Sequence, residues 1–203
     1  MIISIEGNIG SGKSTLIQHL KEADFDFVYL PEPVDRWNTI KDSSGCTILE
    51  KFYGDQKRYS FSFQMMAYIT RLVELKQAMK ENKIVITERC LYTDREIFAK
   101  MLYDEGLMED IEYSIYLCWF DEFIKEVPID GYIYLNVDPD TCIDRIKKRS
   151  RKGENSISLE YIKKLGMYHD TWLKDKPVLV LNDNLDFYEP ISKFVTRMLN
   201  SLN

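Results

Sequence analysis

The chain has 203 residues, 45% of them hydrophobic, enough to build one domain with a full core. Its 33 acidic residues outweigh 27 basic ones for a net charge of −6, which argues against a general nucleic-acid or anionic-membrane binder. No apolar run reaches the ~18 residues that a membrane span needs, and the chain opens directly on a core-like strand, so no signal or transit peptide is expected.

In chain order, residues 2–5 read as a short buried strand. Gly7-Asn8-Ile9-Gly10-Ser11-Gly12-Lys13-Ser14 follows and fits G-x-x-x-x-G-K-[ST], with a helix-like pattern over 13–21. That context predicts a phosphate-binding loop. The glycines let successive N–H groups turn inward on a polyphosphate, Lys13 reaches the terminal phosphates, and the Ser14 hydroxyl sits on Mg²⁺. The alternative is a plain Gly-rich turn between strand and helix.

A second strand over 27–30 leads into Pro31-Glu32-Pro33-Val34-Asp35-Arg36-Trp37. Pro33 disfavours a helical Glu32, so the two prolines hold that carboxylate extended, placed to take a proton from an attacking hydroxyl. A surface Glu in a Pro-bounded turn is the competing reading. A long helix is expected over 56–81 and a third strand over 84–87. Directly after it, Glu88 is placed to hold Mg²⁺ opposite Ser14, and Arg89 to bridge a hydroxyl and a transferred phosphoryl group. Out of context this E-R pair would read as a helix-start ion pair.

Helices are expected over 92–105 and 111–126, a strand over 132–137, and a helix over 139–149 with Asp138 as its cap and Pro139 in its first turn. The last expected elements are a helix over 159–173, a strand over 178–181 and a helix over 189–202. Alternation of this kind indicates an α/β fold with a parallel sheet covered by helices, whose ligands bind beyond the strand C-terminal ends. Arg145-Ile146-Lys147-Lys148-Arg149-Ser150-Arg151-Lys152 is a basic run in an acidic chain, followed by the loop-like Gly153-Glu154-Asn155-Ser156. Arg145 and Arg149 share a helix face and Arg151 lies just past the helix end, which suits a flap closing over phosphates. A solvated basic face or a partner patch is the alternative. Cys46, Cys90, Cys118 and Cys142 are widely scattered and only His19 and His169 accompany them, so reduced thiols are expected and a zinc site is not. They point to an intracellular, cytoplasmic protein, with a removed organelle leader left open.

Together these segments resemble the deoxynucleoside kinases, the group of deoxycytidine, deoxyguanosine and mitochondrial thymidine kinases and the insect multisubstrate enzyme. IEGNIGSGKST, PEPVDRW, KRYSFSFQMMAYITRL, TERCLYTDREIFAKMLY, DGYIYL, RIKKRSRKGE and SLEYIKKL keep the family's order and spacing from Met1 to Leu173. The resemblance implies the phosphate-loop kinase fold, with a central five-stranded parallel sheet and an arginine-rich lid at about 147–157, in one domain spanning 1–203.

The same resemblance implies that Glu32 is the general base for the sugar 5′-hydroxyl and that Arg89 holds that hydroxyl and the phosphoryl group, with Lys13 as the third catalytic residue. Residues Gly7 to Thr15, with Arg145, Arg149 and Arg151, would hold the donor, ATP or another nucleoside triphosphate with Mg²⁺. Tyr53 and Glu154 would bind the 3′-hydroxyl, Gln64 the base, and Trp37, Phe63 and Phe98 would line its pocket. A homodimer through the helices flanking the site is implied as well. Arg71 and Asp94 stand where the family marks enzymes for cytosine or purines. An ionised Asp only accepts, which suits an exocyclic amine and opposes thymine O4. Deoxyadenosine, deoxyguanosine or deoxycytidine are therefore expected ahead of thymidine, unless Asp94 pairs with Arg95 instead.

The family's E-R-S reads Glu88-Arg89-Cys90 here, a common Trp is Tyr59, and an aromatic-histidine pair is Trp119-Phe120. These bear on pocket shape more than on mechanism. Two rivals share the fold. A thymidylate-type nucleoside monophosphate kinase would need extra cations for its acceptor's phosphate, and a non-catalytic nucleotide-binding subunit should have lost Lys13, Ser14, Glu32, Glu88 or Arg89. A GTPase would carry N-K-x-D, which is absent from the sequence.

Overall fold

The computed structural model describes residues 1–23, 25–182 and 187–202. Five parallel strands, β1 (Ile2–Gly7), β2 (Phe27–Leu30), β3 (Ile84–Glu88), β4 (Gly131–Leu135) and β5 (Val178–Leu181), lie in the order β2-β3-β1-β4-β5. Every strand expected from the apolar runs is present. Strand β4 stops two residues short of expectation because Asp138 turns in as the cap of α8 (Pro139–Arg149), accepting from Asp140 N at 2.9 Å and Thr141 N at 3.3 Å. Pro139 opens that helix, where its missing N–H costs nothing.

The period-2 alternation of β1 sorts its side chains between two faces. Ile3 and Ile5 pack with Ile86 and Ile133 against α1 (Lys13–Glu22) and α10 (Tyr188–Leu202). Ile2 joins the opposite cluster, built on α4 (Gln56–Ala78) and α7 (Asp110–Phe123). Full burial of a Leu or Ile stabilises by roughly 1.5–3 kcal/mol. Leu16, Ile17 and Leu20 thus clamp α1 to the sheet and fix the loop joining it to β1.

The long helix α4 ends at Ala78 and tightens into a 3₁₀ turn over Met79–Glu81, closed by Asn82 at φ 52°. Two helices were not expected: α2 (Val34–Thr39) and α3 (Ile48–Gly54). The expected helix over 92–105 is interrupted. It runs as α5 (Leu91–Thr93), a π-helical stretch over Asp94–Ala99, and α6 (Lys100–Asp104). The expected helix over 111–126 is α7 followed by a 3₁₀ turn over Ile124–Glu126. Helix α9 (Leu159–Leu173) matches its expected bounds. Among the described residues, no helix is long and apolar enough to cross a membrane, and the four cysteines are free thiols.

Candidate active site

Strand β1 hands over to α1 through the Gly7–Lys13 loop at the C-terminal edge of the sheet. Gly7 and Gly10 have φ of 140° and 82°, and a Cβ there would lie 2.8 Å from Leu135 O and 2.5 Å from Cys142 O. Only glycine fits both the backbone and the space. Lys13 folds back to donate to Asn8 O at 2.7 Å and Gly7 O at 3.1 Å. Burial, reinforced by the nearby Arg89, lowers its pKa to about 8. Ser14 Oγ donates to both Glu88 oxygens, at 2.9 and 3.1 Å, so the hydroxyl and carboxylate expected around a cation already adjoin.

Beyond the strand ends lies a cleft that takes residues from the phosphate loop, α3, α4 and the segments after β2 and β3. Strand β3 ends at Glu88, and Arg89 follows with φ 63°, a conformation that a side chain other than glycine adopts only when its surroundings impose it. The turn sends Arg89 Nη1 to Glu32 Oε1 at 2.5 Å, with its guanidinium 5.0 Å from the Phe98 ring centre. Burial would raise the pKa of Glu32, but Arg89, Arg71 and Lys13 outweigh it and hold the carboxyl at about 2.

Arg71, from the middle of α4, donates through Nε to Asp94 Oδ2 at 3.0 Å and through Nη1 to Glu88 O at 2.7 Å. Its Nη2 lies 3.8 Å from Glu32 Oε1. Asp94 therefore pairs with Arg71 and not with Arg95, which bonds Glu96 and lies 4.3 Å over the Phe120 ring. Burial pushes Asp94 upward against the pull of Arg71, while Asp94 and Glu32 hold Arg71 cationic despite its own burial.

Stacked rings form the cleft wall. Phe52 and Phe63 lie 4.6 Å apart at 17°, and Trp37 meets Phe63 edge-on at 5.3 Å while donating to Thr70 Oγ1 at 2.9 Å. Gln64 is buried beside them with its Oε1 unpartnered. Tyr53 stands on α3, and burial raises its pKa well above the ordinary phenol. Leu49, Phe52, Ala67 and Tyr161 also line the cleft and were not singled out in the sequence. Leu49 and Phe52 had a findable signal, because Thr47-x-x-Glu50 is a capping box: Thr47 N donates to Glu50 Oε2 at 2.8 Å and Glu50 N to Thr47 Oγ1 at 3.2 Å.

Helix α8 ends at Arg149 and Ser150 turns the chain at φ 51°. The segment expected as a lid, 147–157, therefore begins inside the last helical turn. Arg145 Nη1 donates to Ser11 O at 3.3 Å. Arg149 and Arg151 both reach the buried Glu154, at 2.6 and 3.1 Å, and Lys152 reaches Glu50 at 2.6 Å. A second, more open cavity is lined by Lys13, Ser14, Thr15, Glu88 and the three arginines. Lys13, Glu88, Arg149 and Arg151 line both cavities, so the two chambers adjoin. Ile9, near the centre of the loop, lines the first chamber, whereas the Thr15 side of the loop opens on the second. Asn8 and Ser11 are buried in the loop, where Ser11 N bonds Asn8 O at 3.1 Å, and Gly12 caps α1 at φ 98°.

A polyphosphate fits a chamber of loop residues and cations, and an aromatic base fits a chamber walled by stacked rings, in which the Glu32 carboxylate and the Arg89 guanidinium also stand. The family model for deoxynucleoside kinases matches residues 3–202. Deoxycytidine kinase of Homo sapiens is 36% identical over 98% of this chain and 91% of its own length. Deoxycytidine kinase of Mus musculus is 35% identical over 99% and 90%. Mitochondrial deoxyguanosine kinase of Xenopus laevis is 33% identical over 91% and 82%. This chain belongs to the deoxynucleoside kinase family.

Proposed function

We propose that this chain transfers the γ-phosphoryl group of ATP or another nucleoside triphosphate to the 5′-hydroxyl of a deoxynucleoside, for nucleotide salvage. The observation that carries this reading is the Glu32–Arg89 pair in the ring-walled chamber, which adjoins the second chamber through Lys13, Glu88, Arg149 and Arg151. Glu32 accepts the 5′-hydroxyl proton. Its low pKa suits a loose phosphoryl-transfer transition state, in which the proton leaves late and a strong base is not needed. Arg89 orients the hydroxyl and, with Lys13, neutralises charge on the phosphoryl oxygens.

Residues Gly7 to Thr15 cradle the donor phosphates, and Arg145, Arg149 and Arg151 close on them. Ser14 and Glu88 fit Mg²⁺. Both offer hard oxygens, and Ser14 Oγ adjoins the Glu88 carboxylate at 2.9 Å, which suits an ion otherwise held by substrate phosphates. When bound, the ion would neutralise phosphate charge.

Tyr53 and Glu154 hold the 3′-hydroxyl, Gln64 reads the base, and Trp37, Phe63 and Phe98 line its pocket. The buried Arg71–Asp94 pair supports a preference for deoxyadenosine, deoxyguanosine or deoxycytidine over thymidine, since Asp94 offers acceptors to an exocyclic amine. A homodimer through α4 and α7 is supported by Val73, Ile111, Ile115 and Trp119, large apolar side chains exposed on these neighbouring helices. The test is a kinase assay of the four deoxynucleosides with ATP and Mg²⁺. Phosphorylation of at least one amine-bearing nucleoside well above thymidine is expected. Acceptance of monophosphates alone, or of nothing, would overturn the reading.

A further inference from the structure

Beneath the phosphate loop lies a buried polar cluster that the proposed chemistry does not use. Glu6, one residue before Gly7, is fully buried on β1, and His169 is fully buried on α9. His169 Nδ1 lies 2.7 Å from Leu165 O. A carbonyl only accepts, so Nδ1 carries the proton, and in the neutral ring Nε2 is a bare acceptor. That acceptor faces Glu6 Oε2 at 3.9 Å, outside direct hydrogen-bond distance, and neither atom has a hydrogen-bond partner. Two unpartnered acceptors facing each other in a buried site are unstable unless one of them carries a proton.

The other carboxyl oxygen tells where that proton sits. Glu6 Oε1 accepts from Ser4 Oγ at 2.5 Å and from Thr93 Oγ1 at 2.7 Å, with Cys90 Sγ at 3.6 Å. Its lone pairs are used, as in the carbonyl oxygen of an acid, which leaves Oε2 as the hydroxyl. Thr93 in turn accepts from Cys90 N at 3.0 Å, tying this carboxyl to the turn between Arg89 and Asp94. The cations facing the pair are Arg89 after β3, Arg71 on α4 and Lys13 on the loop, and all would favour an ionised Glu6. Burial wins, raising Glu6 and lowering His169 to about 3.

We propose that Glu6 is a neutral carboxylic acid with its proton on Oε2, the oxygen facing His169 Nε2, and that this uncharged pair is the positioning element for the Arg89–Asp94 turn. Its neutrality has a consequence for the proposed transfer, on which this part of the inference rests. A carboxylate under the loop would compete with phosphate oxygens for Lys13 and Arg89, whereas an acid leaves both cations to the substrate.

Infrared difference spectra of the wild-type protein against Glu6→Gln, near neutral pH, test the protonation independently of any activity. A protonated-carboxyl carbonyl band present in wild type and lost in Glu6→Gln is expected. Its absence, or a His169 nitrogen signal of imidazolium type, would overturn the proposal. Gln offers the same donor and acceptor without charge, so Glu6→Gln should keep kcat within about threefold of wild type. Glu6→Ala should lose more than about tenfold in kcat with little change in donor KM. A folded Glu6→Gln as impaired as Glu6→Ala would show that the charge is needed, and a fully active Glu6→Ala would remove the positioning role. If no variant of the set, nor the wild type, phosphorylates a nucleoside, the transfer reading falls while the spectra still decide the state of Glu6.

Discussion

In the acceptor chamber, Arg71, Asp94 and Arg89 are each 3% exposed and already paired with one another or with Glu32. In the donor chamber, Arg149 and Arg151 are 35% and 30% exposed and share a single carboxylate, Glu154, on a segment that leaves its helix at Arg149. The first arrangement is built into the core. On the proposed function, a base would enter a cavity whose charges are fixed before it arrives, so selectivity would come from groups that cannot turn away. The second is held by partly solvated ion pairs of small net worth. Those can be exchanged for phosphate oxygens when the donor binds. On the proposed function, selection of the acceptor would thus be a property of the fold, and capture of the donor a property of the lid.

The sharpest way to break this contrast is at the carboxylate paired with Arg89 in the first chamber. Glu32→Gln should lower turnover by about 10²–10⁴-fold while leaving nucleoside binding intact. Near-normal turnover would remove Glu32 as the base. Wild-type kcat/KM should show no acid limb from Glu32 until well below the ordinary carboxylate range, because its folded pKa is depressed to about 2. The same depression stabilises the fold above the unfolded carboxylate pKa, and that contribution is lost as pH falls toward about 2.

Within the acceptor chamber, Asp94→Ala leaves Arg71 charged and buried without its partner. Chemical denaturation should show a loss of about 3–5 kcal/mol. A loss under about 1 kcal/mol would mean that the pair is solvated like a surface ion pair and not fixed in the core. In the donor chamber the expectation is different in kind. Arg151→Ala should leave stability nearly unchanged and reduce kcat by about 10–100-fold, with nucleoside affinity kept. Equal damage to nucleoside binding would place Arg151 with the acceptor.

The smallest expected effect is on protons. Lys13 titrates near 8 in the free protein, and bound phosphates favour its charged form. Donor binding should therefore take up protons near pH 8 and weaken as pH rises above it, which calorimetry in buffers of different ionisation enthalpy would detect. Binding independent of pH across that range would show that Lys13 does not contact the phosphates.

Much of this was legible in the chain. The strand spans followed from apolar runs, and the phosphate loop from its glycines and flanks. Glu32, Arg89, Arg71 and Asp94 were found because they follow strands or lie in family segments, and the structure brings them into one cleft. Helix α3 was overlooked although its capping box is explicit, since seven residues are too few to show a helical period. The π-helical stretch over Asp94–Ala99, which packs against α4 and α9, has no signature in the apolar period from which the helix over 92–105 was read. The pairing of Glu154 with two lid arginines, and of Glu6 with His169, joins residues that only the folded chain makes neighbours.

The most direct measurement is the ratio of kcat/KM for deoxycytidine to that for thymidine in wild type and in Arg71→Met/Asp94→Ala. Removing both charges avoids an uncompensated one, so this double variant should fold. A ratio that falls by about 10²-fold or more toward thymidine is expected for a preference fixed by the buried pair. An unchanged ratio in a folded, active double variant would contradict it and locate selectivity outside the core.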